Sequence, residues 1–167
     1  MEIYLVRHGI AVERGTRGFE DDFARPLTAK GRRQLRKTAV AMKRLGRHFD
    51  LILASPLLRA KQTADIIAAE LKLKKRVKYS NALAPGGVAS VLLRQLGRVK
   101  PTPEKILLVG HEPDLSRLIS VLVTGSLQLQ LDLKKGGLCK LEAETLRAGP
   151  CAALAWLLTP KQMKLMA

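Results

Sequence analysis

Three short apolar runs, each cut off abruptly by a polar signature, set the strongest limit on how this chain can fold. Glu2-Ile3-Tyr4-Leu5-Val6 ends in Arg7-His8-Gly9, Phe49-Asp50-Leu51-Ile52-Leu53-Ala54 in Ser55-Pro56, and Lys105-Ile106-Leu107-Leu108-Val109 in Gly110-His111-Glu112. Short runs of aliphatic residues without polar alternation read as strands buried on both faces. The stretches between them carry helical stripes. Leu35, Ala39, Met42 and Leu45 lie on one helical face behind Thr28, a capping residue type. Ala60, Ala64, Ile67 and Leu71 form a second stripe opened by Ser55-Pro56. Val88, Val91, Leu92 and Leu96 form a third, and Leu115, Leu118, Ile119 and Leu122, opened by Pro113-Asp114, a fourth. With a short strand near Val77 to Tyr79, the order predicts an α/β fold of three layers, α/β/α, around a mostly parallel sheet.

The last forty or so residues change character. Leu138 to Glu144 partly alternates and Ala152 to Leu158 is nearly all apolar, on either side of Ala148-Gly149-Pro150, which predicts a closing strand pair with an antiparallel strand near the C-terminus. No repeat or linker interrupts the 167 residues, so residues 1–167 are expected to form one domain. The most loop-like stretch is Ala11 to Arg25, charged through Glu13, Arg14, Arg17, Glu20, Asp21 and Asp22.

The longest uncharged stretch, Leu118 to Leu131, has 14 residues, short of the roughly 18 that a membrane-spanning helix requires. An acid at Glu2 stands where a secretory signal has its positive region, so a cytoplasmic protein is expected. Cys139 and Cys151 are too few for a disulfide framework and read as buried thiols. Charge is the outlier. Thirty Lys and Arg against 14 Asp and Glu leave +16, a field that attracts phosphates, nucleic acid, anionic lipid or an acidic protein. With only 4% aromatic residues, stacking surfaces for single-stranded nucleic acid are scarce.

In open parallel sheets ligands bind beyond the carboxyl ends of the strands, so the residues cutting off each run are the candidate chemistry. They are Arg7 and His8 after the first strand, Ser55 with Arg59 a helical turn on after the second, and His111 after the fourth. Two arginine forks match the oxygens of a phosphoryl group, and a neutral histidine nitrogen is a competent nucleophile toward phosphorus. No carboxylate cluster accompanies them, so phosphoryl transfer without metal or cofactor is expected, with Arg7, Arg59 and a protonated His111 stabilising the transition state. His48, between a helix and a strand, reads as structural or solvated. Ser55 before Pro56 reads as a helix cap in preference to a nucleophile. Arg32, Arg33, Arg36, Lys37 and the run Lys72 to Lys78 read as solvated faces.

These residues resemble the histidine phosphatase (phosphoglycerate mutase-like) superfamily, and within it the short SixA-type phosphohistidine phosphatases. The resemblance covers nearly the whole chain. It is carried by Leu5-Val6-Arg7-His8-Gly9, Arg25-Pro26-Leu27-Thr28-Ala29-Lys30-Gly31, Ala54-Ser55-Pro56-Leu57-Leu58-Arg59-Ala60 with Gln62-Thr63, and Val109-Gly110-His111-Glu112-Pro113. It implies that His8 is phosphorylated during turnover, that Arg7 and Arg59 bind the phosphate, and that His111 stabilises it. Arg25 is implied at the pocket rim, and Gly9 and Ser55 join the implied substrate-binding set. Larger mutase-type members carry a carboxylate proton donor in an insertion that has no counterpart here, where Ser80-Asn81-Ala82-Leu83-Ala84-Pro85 holds no acid. Glu112, Asp21 and Asp22 are the nearby acids.

The implied activity is removal of phosphoryl groups from phosphohistidine in proteins, in a signal-transduction setting. The implied partner is a phosphorylated protein such as a histidine-phosphotransfer domain, and a phosphate or sulfate ion would fit the same site. A small-molecule phosphomonoesterase keeps the chemistry and changes the substrate. A basic nucleic-acid-binding module accounts for the charge but has no recognised motif behind it.

Overall fold

Strand side chains alternate between faces, and the first strand fills two cores. Ile3 and Leu5 enter one cluster, and Tyr4 and Val6 enter the other. The structure, a computed structural model, describes residues 1–167. Its six strands are β1 (Glu2–Arg7), β2 (Leu51–Ala54), β3 (Val77–Tyr79), β4 (Lys105–Gly110), β5 (Leu138–Ala143) and β6 (Ala152–Leu158). They form one sheet in the order β3-β2-β4-β1-β5-β6. The first four in that order are parallel, and β5 is antiparallel to both β1 and β6. Five helices cover the faces: α1 (Ala29–Arg44), α2 (Leu58–Glu70), α3 (Ala89–Gly97), α4 (Asp114–Thr124) and α5 (Pro160–Leu165). Residues of α1, α2 and α5 pack with Tyr4, Val6, Ile52 and Val109, while residues of α3 and α4 pack with Ile3, Leu5, Leu53 and Leu108. No helix is long and apolar enough to cross a membrane.

Register is what builds the site. Arg7 lies level with Gly110, and Ala54 with Val109. The ladder then continues one residue further through His8 N to Gly110 O at 3.0 Å and Ser55 N to Val109 O at 2.9 Å. The residues after three central strands therefore emerge side by side at one sheet edge. The loop from β1 is pinned there too. Thr28 caps α1 by accepting from Gly31 N at 3.0 Å, and its own amide donates to Ile10 O at 2.9 Å. Any Cβ at position 31 would sit 2.1 Å from that same Ile10 oxygen, so glycine is required for the approach.

Several expectations need correction. Strand β2 begins at Leu51. Phe49 is buried ahead of it, and the Asp50 carboxylate turns aside to accept from the amides of Glu104 and Lys105. Ser55 does not cap α2, which starts three residues later behind Leu57, without a side-chain cap. On α3 only Leu92 and Leu96 of the expected stripe are buried, while Val88 and Val91 are exposed, because the helix docks by a narrow stripe. Cys139 is buried and Cys151 only half-buried. Helix α5 was not expected. Its start was written in the sequence as Thr159-Pro160 with Gln162, a capping box with proline in the first turn.

Candidate active site

The sheet edge holds a depression of about 320 Å³ lined by Arg7, His8, Arg59 and His111, with Arg14, Arg25 and Lys135 adding charge and Glu13 and Glu112 as its acids. Ala11 and Pro85 complete the wall. Thus the structure brings together the four residues expected to do chemistry and places Arg25 with them. Gly9 and Ser55 do not line the depression; they stand behind it. The Gly9 amide donates to Thr63 Oγ1 at 3.1 Å, and a Cβ at Gly9 would collide with Leu35. Thr63 Oγ1 in turn donates to Arg59 O at 2.7 Å within α2, so the Gly9 bond ties the loop after β1 to the helix that carries Arg59.

His8 is 8% exposed, and its Nδ1 lies 2.7 Å from the Gly9 carbonyl. A carbonyl only accepts, so the ring proton is on Nδ1 and Nε2 carries the lone pair. Burial, with Arg59, Arg7 and His111 nearby, pulls the His8 pKa down to about 3, and the ring is neutral at ordinary pH. This is the protonation state that a nucleophile at phosphorus requires.

The His111 ring centroid is 5.0 Å from that of His8, at an interplanar angle of 54°. Its Nε2 is 2.8 Å from the Ser55 hydroxyl, which also accepts from Leu57 N at 3.3 Å. If Ser55 donates to Nε2, the hydroxyl is fully used and only the Nδ1–H of His111 lacks a partner; the opposite tautomer leaves two groups unmet. Ser55 thus satisfies one ring nitrogen of His111 and leaves the other, Nδ1, without a partner. Burial and then Arg59 lower the His111 pKa to about 4. At ordinary pH His111 is therefore neutral by itself, whereas the protonated His111 expected from the sequence concerns the transition state, where a phosphoryl anion stands beside it.

Arg59 is 3% exposed and is held by Asp22, whose carbonyl accepts from Nη1 at 2.7 Å and whose Oδ2 accepts from Nη2 at 3.0 Å. Arg25 grips the other carboxylate oxygen through Nε at 2.9 Å and Nη2 at 2.7 Å, while its Nη1 donates to Val12 O at 2.6 Å. Burial pushes the Asp22 carboxyl up, but Arg59 and Arg25 outweigh it and hold it at about 2. Sequence reasoning placed Asp22 among loop acids and missed this role. The available signal was its spacing three residues before Arg25. Arg7 donates from Nη1 to Leu133 O at 3.1 Å. Lys135, also missed, sits in the loop whose Gly136 amide bonds Arg7 O at 2.9 Å.

Four polar atoms of the lining residues are buried without a partner: Arg7 Nε, Arg59 Nε, His111 Nδ1 and Glu112 Oε1. Buried polar groups are almost always satisfied, so such a cluster marks a ligand's place. Three are donors, which suits an oxyanion. Glu112 is the exception. Its Oε2 accepts from Ser116 Oγ at 2.5 Å, and burial pushes its carboxyl pKa up. No group of three or more His, Cys, Asp or Glu side chains anywhere in the chain is placed to hold a metal ion. His48 is exposed, lies between α1 and β2, and does not line the depression.

Residues 3–84, which include His8, Arg25 and Arg59, match the histidine phosphatase superfamily (branch 1). The chain is also 40% identical over 148 residues to an uncharacterized protein of Picosynechococcus sp. strain PCC 7002, covering 88% of each. The chain belongs to the histidine phosphatase superfamily. Over 116 residues it is 36% identical to the mitochondrial serine/threonine-protein phosphatase Pgam5 of Drosophila ananassae, covering 69% of this chain. This member of the superfamily spans about a third (34%) of that relative's length. Its fold matches the structure of the protein histidine phosphatase SixA complexed with tungstate, with a TM-score of 0.84 at 22% identity, covering 98% of this chain and 100% of the other. The α/β fold with a mostly parallel sheet and an antiparallel C-terminal strand is thus the fold of that phosphatase.

Proposed function

We propose that this protein is a cytoplasmic, metal-independent phosphatase that removes phosphoryl groups from phosphohistidine in proteins through a phosphohistidine intermediate on His8. The observation that carries the proposal is the state of His8: neutral, anchored through Nδ1–H to the Gly9 carbonyl, with Nε2 free beside donors that lack acceptors. In the first step Nε2 attacks phosphorus, the substrate P–N bond breaks, and the departing imidazole takes a proton from Glu112. In the second step water attacks the phosphoryl group on His8, its proton returns to Glu112, and inorganic phosphate leaves. Because His8 keeps its Nδ1 proton, the phosphorylated ring is cationic and leaves readily. Arg7, Arg59 and His111 Nδ1 meet the charge on the equatorial oxygens.

The depression also suits a phosphoryl group presented by a protein. Small-molecule pockets are mostly apolar with a few polar groups, whereas here only Ala11 and Pro85 lack an ionisable side chain. Two of the three relatives described above are called protein phosphatases. A phosphorylated protein such as a histidine-phosphotransfer domain, in a signal-transduction setting, is the proposed partner, and free phosphate or sulfate fits the same donors. A second reading is a phosphomonoesterase acting on small molecules: Glu112, a half-buried acid in the wall with a raised pKa, is a group able to protonate an alkoxide, a leaving group that needs the proton more than imidazole does.

The test is to incubate the protein with a phosphate donor and follow acid-labile, alkali-stable label, then to compare a phosphohistidine protein with a panel of sugar and glycerate phosphates. Label and turnover should both vanish in His8→Ala. A labelled, active His8→Ala protein would overturn the assignment, and preference for the metabolite panel would replace the substrate.

A further inference from the structure

A second basic feature lies beside the active-site mouth. Between α1 and α5 runs a groove of about 380 Å³ lined by the cations Lys30, Arg33, Lys37, Lys161 and Lys164 together with Gln34 and Pro160. On α1 the three cations are spaced i, i+3, i+7, so they share one helix face; on α5 the two are spaced i, i+3. None of the five forms an ion pair within the protein, although Lys43, Lys105, Lys134 and Lys140 elsewhere do. Like charges gathered along two packed helices repel, and an anion bound between them would relieve that repulsion.

The groove is joined to the catalytic mouth. Gln34 Nε2 donates to the Lys135 carbonyl at 3.1 Å, and Lys135 is itself part of the active-site wall. Both helices also begin at the catalytic edge, since α1 follows the loop leaving β1 and α5 follows β6, which runs in the same direction as β1. Lys135 thus stands in the active-site wall and, through its carbonyl, against Gln34 of the groove.

We propose that this groove docks an acidic face of the phosphoryl-bearing protein while the phosphoryl group enters the depression. The proposal rests on the reading of the substrate as protein-borne. An acidic polypeptide fits better than the other polyanions. The groove has no aromatic side chain on which a base can stack, and the only apolar residue in its wall is Pro160. A protein substrate must also rest part of its surface beside the mouth when its phosphoryl group is inside, and a groove opening into the same wall is placed for that. Charge steering of this kind acts on association and on KM, and weakens with salt.

The experiment uses two synthetic peptides, each with one histidine, one carrying a tract of glutamates about ten residues from it and the other glutamines at those positions. The variant is the triple Arg33→Glu, Lys37→Glu, Lys161→Glu. A control triple, Lys75→Glu, Lys78→Glu, Lys100→Glu, reverses equal charge around a depression at the other end of the sheet. At low salt the unphosphorylated glutamate peptide should bind wild type and the control within about threefold of each other by fluorescence anisotropy, and the groove variant at least about tenfold more weakly. The glutamine peptide should show no such difference. With phosphohistidine peptides, KM for the glutamate form should rise by a similar factor in the groove variant with kcat unchanged, while turnover of an aryl phosphate stays as in wild type.

Equal binding of the glutamate peptide to the groove variant and wild type overturns the docking surface. So does an equal loss in the control. Tighter, groove-dependent binding of an oligonucleotide or of anionic lipid vesicles assigns the groove to those partners and overturns the proposal too. Failure to hydrolyse either phosphohistidine peptide, with groove-dependent binding intact, refutes the substrate reading and leaves the polypeptide-binding surface standing.

Discussion

Asp22 holds Arg59 by two acceptors at once, its carbonyl oxygen at 2.7 Å from Nη1 and its Oδ2 at 3.0 Å from Nη2, so the plane of a buried guanidinium is set by a residue 37 positions away, at the start of a short 3₁₀ helix (Asp22–Ala24). Nε of Arg59 is left without a partner. Asp22→Ala should free that plane while removing the counter-charge. We expect kcat to fall about tenfold, equivalent to roughly 1.4 kcal/mol, and inorganic phosphate to inhibit at lower concentration. Steady-state kinetics with phosphate titration decides it, and an unchanged kcat would make Asp22 a loop brace only.

The unpartnered Nε atoms of Arg7 and Arg59 give lysine no means of substitution, because an ammonium has neither the fork nor the reach of its planar donors. Arg7→Lys and Arg59→Lys should each lower kcat/KM by at least about tenfold. Near-normal kinetics in either variant would place that residue outside direct phosphate contact.

Glu112 is a half-buried carboxyl in the site with a raised pKa, and a positioned proton donor contributes about 10² to 10⁴-fold. Its effect depends on the leaving group. Glu112→Gln should reduce kcat/KM on an alkyl phosphate by at least about 10²-fold while an activated aryl phosphate, whose leaving group needs no proton, changes only a few-fold. Equal losses on both would show that Glu112 shapes the pocket without moving a proton.

Acid should unfold this protein through its active site. Burial holds the pKa of His8 at about 3 and of His111 at about 4, against 6.5 for a free histidine side chain. Between those limits the unfolded chain binds protons that the folded protein excludes, so stability is complete above pH 6.5 and falls as the pH drops toward 4. Each histidine adds a slope of up to about 1.4 kcal/mol per pH unit. Denaturant titrations from pH 7.5 to 4.5 in phosphate-free buffer should show the decline, and His8→Asn should remove about half of it. An unaltered slope would mean that His8 protonates freely in the folded state. Asp22, held at about 2, contributes only below this window.

The local elements were legible in the sequence because each rests on short-range physics. The stripe behind Thr28, the run Lys105 to Val109 and the strand-ending signatures at Arg7-His8-Gly9 and Gly110-His111-Glu112 depend on spacing within one element, and spacing is what a sequence records. Strand ends predicted where His8, Arg7, Arg59 and His111 gather because parallel strands in register must finish together. What the tertiary structure alone decided involves partners far apart in the chain. Only folding places Asp22 on Arg59, Ser55 on His111 rather than at a helix cap, and Val88 and Val91 on the outside of α3. The charge state of His111 belongs there too, since burial and a neighbouring guanidinium set it, and neither desolvation nor proximity exists until the chain is packed.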